Sequence, residues 1–349
     1  MDATKQQSEI SSIELITKVL AQVDKERERE IVSRRFGLFD RRETLEQIGE
    51  MLGITRERVR QLEKTILVKI KSLTNGSSNK VVEISDFNQK IDRYLTENGG
   101  LLNISDLTEK ISNTKDKIEQ SRITFISLLS DNFTVINEND NYHTIVAKKS
   151  DFNEKTLTTS IDGLVKAIEG KNAPCTIKDL VELTGNSNEK QLASLANSSK
   201  LLASLNKQWG LIKWPTVNPK NIRDKIYVIL KENGKQMHFN EIADSIKKSD
   251  FKRKNVTTQA IHNELIKDKR FVLVGRGIYA LKEWGYSRGT VSDIISKILK
   301  DAKQPLHKDE IIKSVLKDRF VKETTILLNL QNKTKFKRVA KATYVLNEK

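Results

Sequence analysis

Between Thr44 and Leu73, apolar positions recur at helical period in two runs separated by a break. In the first run Leu45, Ile48, Met51 and Leu52 fall on one side of a helix. Thr44, followed three residues later by Gln47, predicts a capping-box start. Gly53 stops the run where a left-handed residue is needed, and Ile54 is the apolar residue of the turn. Thr55 suits the N-cap of a second helix, along which Val59, Leu62, Ile66, Ile70 and Leu73 form a continuous apolar stripe. Upstream, Ile13, Ile16, Leu20 and Val23 predict the apolar side of a helix running from Ile10 to Leu20. Asp24 is expected to cap the next helix, with Glu26 and Glu28 at its positive end and Gly37 as its stop.

Downstream the pattern repeats about every 65–70 residues. Lys235-Gln236-Met237-His238-Phe239-Asn240-Glu241-Ile242 corresponds to Lys303-Gln304-Pro305-Leu306-His307-Lys308-Asp309-Glu310-Ile311 with one inserted residue. The run Arg270 to Leu281 likewise corresponds to Lys335 to Leu346, aromatic and aliphatic residues alternating at period two around a basic turn. Three helices followed by a two-stranded hairpin make a winged helix. Weaker copies open at Leu101 and Pro174; the first closes near Phe133–Ile136 and Tyr142–Ile145, the second with Lys207–Trp214. The expected architecture is mainly α with small β-hairpin wings: a helix-turn-helix module over 10–75, then tandem winged helices over 80–149, 155–214, 219–284 and 287–347. Residues 1–9 read as disordered, and Asn75–Asn79 and Pro215–Pro219 read as linkers.

Charge divides the same modules into two kinds. The net charge of +16 on 349 residues is distributed as +2 over residues 1–75, −2 over 76–150, +1 over 151–215, +7 over 216–284 and +8 over 285–349. Uniform lysine-rich coding bias does not produce that division, and a basic C-terminal half points to a polyanionic partner. One cysteine, Cys175, excludes an intramolecular disulfide and a cysteine-based metal site. The polar start Met1 to Gln7 lacks a signal-peptide core, and no run approaches the ~18 apolar residues of a membrane span. A cytoplasmic, nucleoid-associated protein that does not use a membrane is expected.

At about 100° per residue, Arg56, Glu57, Arg60, Gln61 and Lys64 gather opposite the apolar stripe. Forked donors, an amide and one acceptor near a helix N-terminus are the groups that read base edges in a major groove. The run Asp24 to Glu30, then Arg35-Phe36-Gly37-Leu38, Thr44 to Gly49, and Thr55-Arg56-Glu57-Arg58-Val59-Arg60-Gln61-Leu62-Glu63 closely resemble region 4 of primary bacterial sigma factors. That domain binds the promoter −35 element and the flap of the RNA polymerase β subunit. The resemblance covers about residues 10–74 and implies that Arg56, Glu57 and Gln61 face bases, while Arg60 and Lys64 lie nearer phosphates. It departs from the family at Val23-Asp24, where a Leu-Pro is usual. The third repeat, with Met237 to Ala243, His262-Asn263-Glu264-Leu265 and Phe271 to Leu281, resembles a HARE-type winged helix. That class occurs in the delta subunit of some bacterial RNA polymerases, in restriction-associated proteins and in chromatin proteins.

The candidate DNA contacts are therefore Thr55, Arg56, Glu57, Arg58, Arg60, Gln61 and Lys64, with Lys252, Arg253 and Lys254 before a third helix and Arg276 at a Gly275-Arg276-Gly277 wing turn. His238 and His307 precede Glu241 and Glu310 in equivalent places, which suits helix capping better than a metal site because no further ligands lie nearby. No phosphate loop, nucleophile elbow or paired-carboxylate spacing is visible, so no enzyme, cofactor, metal or small-molecule substrate is expected. The first expectation is a transcription regulator that reads a promoter-like element in double-stranded DNA, the basic wings holding flanking duplex. The alternatives are an accessory protein docked on the polymerase β flap, favoured by the neutral central repeats, and a non-catalytic reader in a restriction system.

Overall fold

The computed structural model describes residues 11–75, 82–251 and 253–347. The expected tail at 1–9, most of the Asn75–Asn79 linker and Lys252 lie outside them. The chain forms two units, Met1–Ile212 and Lys213–Lys349.

Local capping starts most helices of the first unit. Ser11 opens α1 (Ser12–Ala21) in a capping box with Glu14, and Leu15, Ile16, Val19 and Leu20 are its buried side. The expectation at Ile13 is corrected: it is 41% exposed, because the buried stripe runs one position further round through Leu15 and Val19. Asp24 does not cap α2 (Glu26–Phe36); the N-cap is Lys25, without a side-chain bond. The Asp24 carboxylate instead accepts from Lys69 Nζ at 3.0 Å, and that partner lowers its pKa. Thr44 and Gln47 complete both bonds of the box that begins α3 (Leu45–Leu52), and Gly53 ends it at φ +65°. Ile48 is fully buried, whereas Met51 faces out at 42% exposure. Then comes α4 (Arg56–Asn75), anchored by buried Val59, Ile66 and Ile70.

The second module contains α5 (Val82–Glu97), β1 (Leu101–Asn103), α6 (Ile104–Ser112), α7 (Lys117–Leu129), β2 (Phe133–Ile136) and β3 (Ile145–Lys148). Its antiparallel sheet has the order β1-β3-β2. This is a winged-helix arrangement in which the third helix, α7, packs on α1, α2 and α4. The Phe125 ring lies 5.0 Å from that of Phe36, and Arg122 Nε donates to the Leu38 carbonyl at 2.7 Å. One hydrophobic cluster consequently extends from Leu15 through Val59 and Phe125 to Val146, so the helix-turn-helix and its neighbour share a core.

The third module follows with α8 (Glu154–Lys171), α9 (Ile177–Thr184), α10 (Glu189–Ser198), β4 (Leu202–Leu205) and β5 (Gln208–Leu211). Its third helix, α10, docks in turn on β1. Gln191 Nε2 donates to the Gly99 carbonyl at 3.1 Å and Ser194 Oγ to that of Asn98 at 2.9 Å. A Cβ on Gly99 would stand 2.4 Å from Cα of Gln191, so this approach tolerates only glycine.

The second unit is built from two more winged helices. The first has α11 (Ile222–Asn233), β6 (Met237–His238), α12 (Phe239–Lys248), α13 (Thr258–Lys267), β7 (Phe271–Gly275) and β8 (Ile278–Leu281), with the sheet order β6-β8-β7. The second has α14 (Val291–Ala302), β9 (Leu306–His307), α15 (Lys308–Asp318), α16 (Glu323–Leu330), β10 (Phe336–Ala340) and β11 (Thr343–Leu346), ordered β10-β11-β9. His238 and His307 are the N-caps of α12 and α15: each Nδ1 accepts a backbone N–H two residues on, at 3.3 and 3.4 Å. The buried Arg319 ties the fifth module together, donating from Nη2 to the carbonyls of Ser287 and Gly289 at 2.7 Å. Among the described residues, the third helices of this unit, α13 and α16, make their main contacts within their own modules.

Candidate nucleic-acid interface

The turn between α3 and α4 sets how the second helix is presented. Ile54 N–H donates to the Gly49 carbonyl at 2.9 Å. A Cβ on Gly49 would lie 2.7 Å from the Ile54 carbonyl oxygen, so the two helices meet this closely because Gly49 has none. Arg58 N–H donates to Thr55 Oγ1 at 3.2 Å, making Thr55 the N-cap of α4. Two arginines of the charged run in α2 brace the pair from behind. Arg27 Nη2 donates to the Leu52 carbonyl at 2.7 Å, and Arg35 Nε donates to Glu63 Oε2 at 3.2 Å.

With Val59 buried, Thr55, Arg56, Glu57, Arg58, Arg60, Gln61 and Lys64 are all exposed. The face is held by bonds among its own side chains. Arg60 makes a two-pronged contact with Glu57 at 2.8 and 2.7 Å, and Gln61 Nε2 donates to the same carboxylate at 3.4 Å. The Arg60 guanidinium holds the Glu57 carboxyl below its usual range. Arg56 Nη1 pairs with Glu46 Oε1 at 2.7 Å. Pairs exposed to this degree are weak, so a nucleic acid can displace them at small cost.

The remaining candidates lie in the second unit. Arg276 is exposed at the turn joining β7 and β8. Gly277 supplies the turn's positive φ, at +70°, whereas Gly275 is not left-handed. Gly275 ends β7 in register with Ile278. Arg253 is exposed at φ +55°, and its carbonyl accepts from Lys225 Nζ at 2.8 Å. Lys225 is 4% exposed, and burial lowers its pKa. Exposed Lys254 donates to the Ser249 carbonyl at 3.2 Å. His262 is half-buried with its ring 4.9 Å from Phe239, while Gln259 and Asn263 form the outward side of α13.

Sequence reading passed over the last hairpin. Lys333, Lys337, Arg338 and Lys341 are exposed on and beside β10 and its turn, and their signal was a lysine at every second position from Lys333 to Lys337. The two neutral modules differ from these in use as well as in charge. Their third helices, α7 and α10, are occupied in packing between modules. The signal for α7 was the run Ile123-Thr124-Phe125-Ile126-Ser127-Leu128-Leu129, too apolar for a helix with one wet side.

A capped second helix with an exposed, donor-rich first half, set by a tight turn on a shorter helix, defines a helix-turn-helix of the DNA-reading kind. Residues 25–72 match Sigma-70, region 4. The chain is 46% identical over 63 residues to RNA polymerase sigma factor RpoD of Helicobacter pylori, covering 18% of this chain and 9% of that one. It is 49% identical over 47 residues to RNA polymerase sigma factor sigB of Arabidopsis thaliana, covering 13% and 8%. With RNA polymerase sigma factor RpoS of Coxiella burnetii it shares 40% over 72 residues, 20% of each chain. The chain thus carries a sigma-70 region 4 helix-turn-helix, a DNA-binding module of transcription, while spanning only 8–20% of the length of these relatives.

Proposed function

We propose that this protein is a DNA-binding transcription regulator whose α4 reads a promoter-like element. Its basic C-terminal winged helices, the third repeat being HARE-like, hold flanking duplex through phosphates. The observation that carries this reading is the joint exposure of Arg56, Glu57, Arg58, Arg60, Gln61 and Lys64. The charge of +15 over the last 134 residues supports the second half. Such a protein works in the cytoplasm at the nucleoid. The test is sequence selection from a random duplex pool by the full chain and by Arg56→Ala and Gln61→Ala. Each variant is expected to relax preference at its own position by about 1–3 kcal/mol. Variants with the parent's preference would show that α4 does not read bases.

A second reading, an accessory protein bound to the RNA polymerase β flap, draws on the neutral modules, whose third helices serve protein packing rather than phosphates. Capture of polymerase by the full chain, in the presence and absence of duplex, separates the two. Polymerase held without DNA, together with unchanged base preference in the Arg56 and Gln61 variants, favours the accessory role.

A further inference from the structure

The helix α7 has a second side. Away from α1 and α2, its Lys117, Gln120 and Thr124 line a cleft of about 690 Å³, walled also by Arg42 of the first module and by Asn197 and Ser204 of the third. All of these belong to the first unit. The volume lies within the ~300–1,000 Å³ usual for ligand sites. An intact duplex is excluded, since a helix must stand clear of its neighbours to enter a major groove ~12 Å wide.

One wall of the cleft is an unpaired strand edge. Trp209 directs both its N–H and its carbonyl to Cys175, each bond 2.8 Å long. Its partner across the hairpin, Ser204, therefore turns its own N–H and carbonyl away from β5, as does Leu202 opposite Leu211. The same edge is used just before β4: Lys200 N–H donates to the Asn141 carbonyl at 2.7 Å, and Ser198 accepts from His143 N–H at 3.0 Å. That ladder then stops. Leu202 and Ser204 continue its row along the cleft, with no backbone partner among the described residues. An edge of this kind takes an extended peptide as an added strand.

Charge selects the peptide. Among the described residues neither Arg42 nor Lys117 has a carboxylate within ion-pair reach. The Arg42 guanidinium donates from Nε to the Arg35 carbonyl at 3.1 Å and feels the Glu63 charge without pairing with it among the described residues. Of the carboxylates of the cleft, Glu138 pairs with Lys200 at 2.6 Å and also faces the Lys117 charge, and Asp106 accepts from Asn103 Nδ2 at 2.8 Å, so Arg42, Lys117 and Lys200 outnumber them. A single-stranded nucleic acid needs aromatic faces for stacking. Here Phe36 is packed on Phe125, and Trp209 is 9% exposed with its Nε1 donating to Asn197 Oδ1. We propose that the cleft binds an acidic peptide in extended form, paired with β4 through Leu202 and Ser204, its carboxylates against Arg42 and Lys117.

The probe is a fluorescent hexapeptide of alternating glutamate and valine, titrated by anisotropy into the full chain. Saturable binding is expected, at least ~10-fold weaker in the Arg42→Gln/Lys117→Gln double variant. It is also expected to be lost when alternate peptide nitrogens of the probe are methylated, a change that leaves the protein untouched and so decides the matter even if the variant misfolds. Thr124→Trp should block the cleft while duplex binding by α4 persists. No saturable binding, equal binding of the methylated or lysine-valine probe, or displacement of the probe by oligo-dT would each overturn the assignment. Duplex binding is read separately, so loss of the peptide site and loss of promoter reading are distinguishable.

Discussion

Arg122 donates through Nε to the carbonyl oxygen of Leu38 at 2.7 Å, across 84 positions of sequence. Arg122 also pairs with Glu119 at 3.2 Å, and both side chains are largely covered. The bond fastens α7 to the loop that follows α2, beside the Phe36–Phe125 contact, where the first two modules share a core.

Phe125 is fully buried in that shared core, so Phe125→Ala is expected to destabilise by about 3–5 kcal/mol. Because the core is common, probes in the helix-turn-helix and in the second module should report the same denaturant midpoint, shifted equally by the substitution. Two separate midpoints would contradict a shared core.

Glu46 holds Arg56 at 2.7 Å in the free protein, with 51% and 69% of the two side chains exposed. Glu46→Gln should change stability by less than ~1 kcal/mol, yet raise affinity for duplexes of any sequence by freeing a cation and removing a carboxylate. Lys64→Ala should act oppositely and uniformly, lowering the salt slope of binding by about 1. Both are read from affinity measured over a range of salt concentrations.

Gly49→Ala sets two effects against each other. Helix propensity alone favours alanine by ~1 kcal/mol. The new Cβ, however, would sit 2.7 Å from the Ile54 carbonyl oxygen, a backbone atom that cannot rotate away. The second effect should win, and a lower melting temperature is expected. A higher one would show that the turn relaxes freely.

Acid should weaken both units. In the second, the Thr290 backbone N–H and hydroxyl and the Lys335 ammonium hold the Asp293 carboxyl down to about 2, against an ordinary value of 3.8. In the first, Lys171 and Thr176 hold Asp179 down to about 2. A depressed folded-state value means the contribution is present above about pH 4 and fades as pH falls toward 2. Asp293→Asn should flatten that part of the stability–pH curve, measured by denaturant unfolding between pH 5 and 2. An unchanged slope would remove Asp293 from the account.

The helix-turn-helix was legible because its determinants are local. The Thr44–Gln47 box, the left-handed Gly53 and the Thr55 cap each involve residues within a few positions of one another. The histidine caps were legible for the same reason. Asp24 was misread because its partner, Lys69, is 45 positions away and outcompetes the cap. Of the binding surface, the α4 residues could be named from helical period, but the pairings Arg56–Glu46 and Arg60–Glu57 could not. Nor could the exposed cations of the last hairpin be ranked without knowing which edge of its sheet is free.

Period, caps and charge distribution were enough to mark out the two helices of the helix-turn-helix, which face of α4 is polar and which half of the chain is basic. They say nothing of the partner an apolar face will find, because burial is satisfied by any surface of matching shape. Folding alone brought α7 against α1 and α2, set α10 on the glycine turn at Gly99, and left the edge of β4 open beside Arg42 and Lys117. The Arg122–Leu38 and Gln191–Gly99 bonds join residues 84 and 92 positions apart, where close packing and backbone pairing decide and sequence period carries no information.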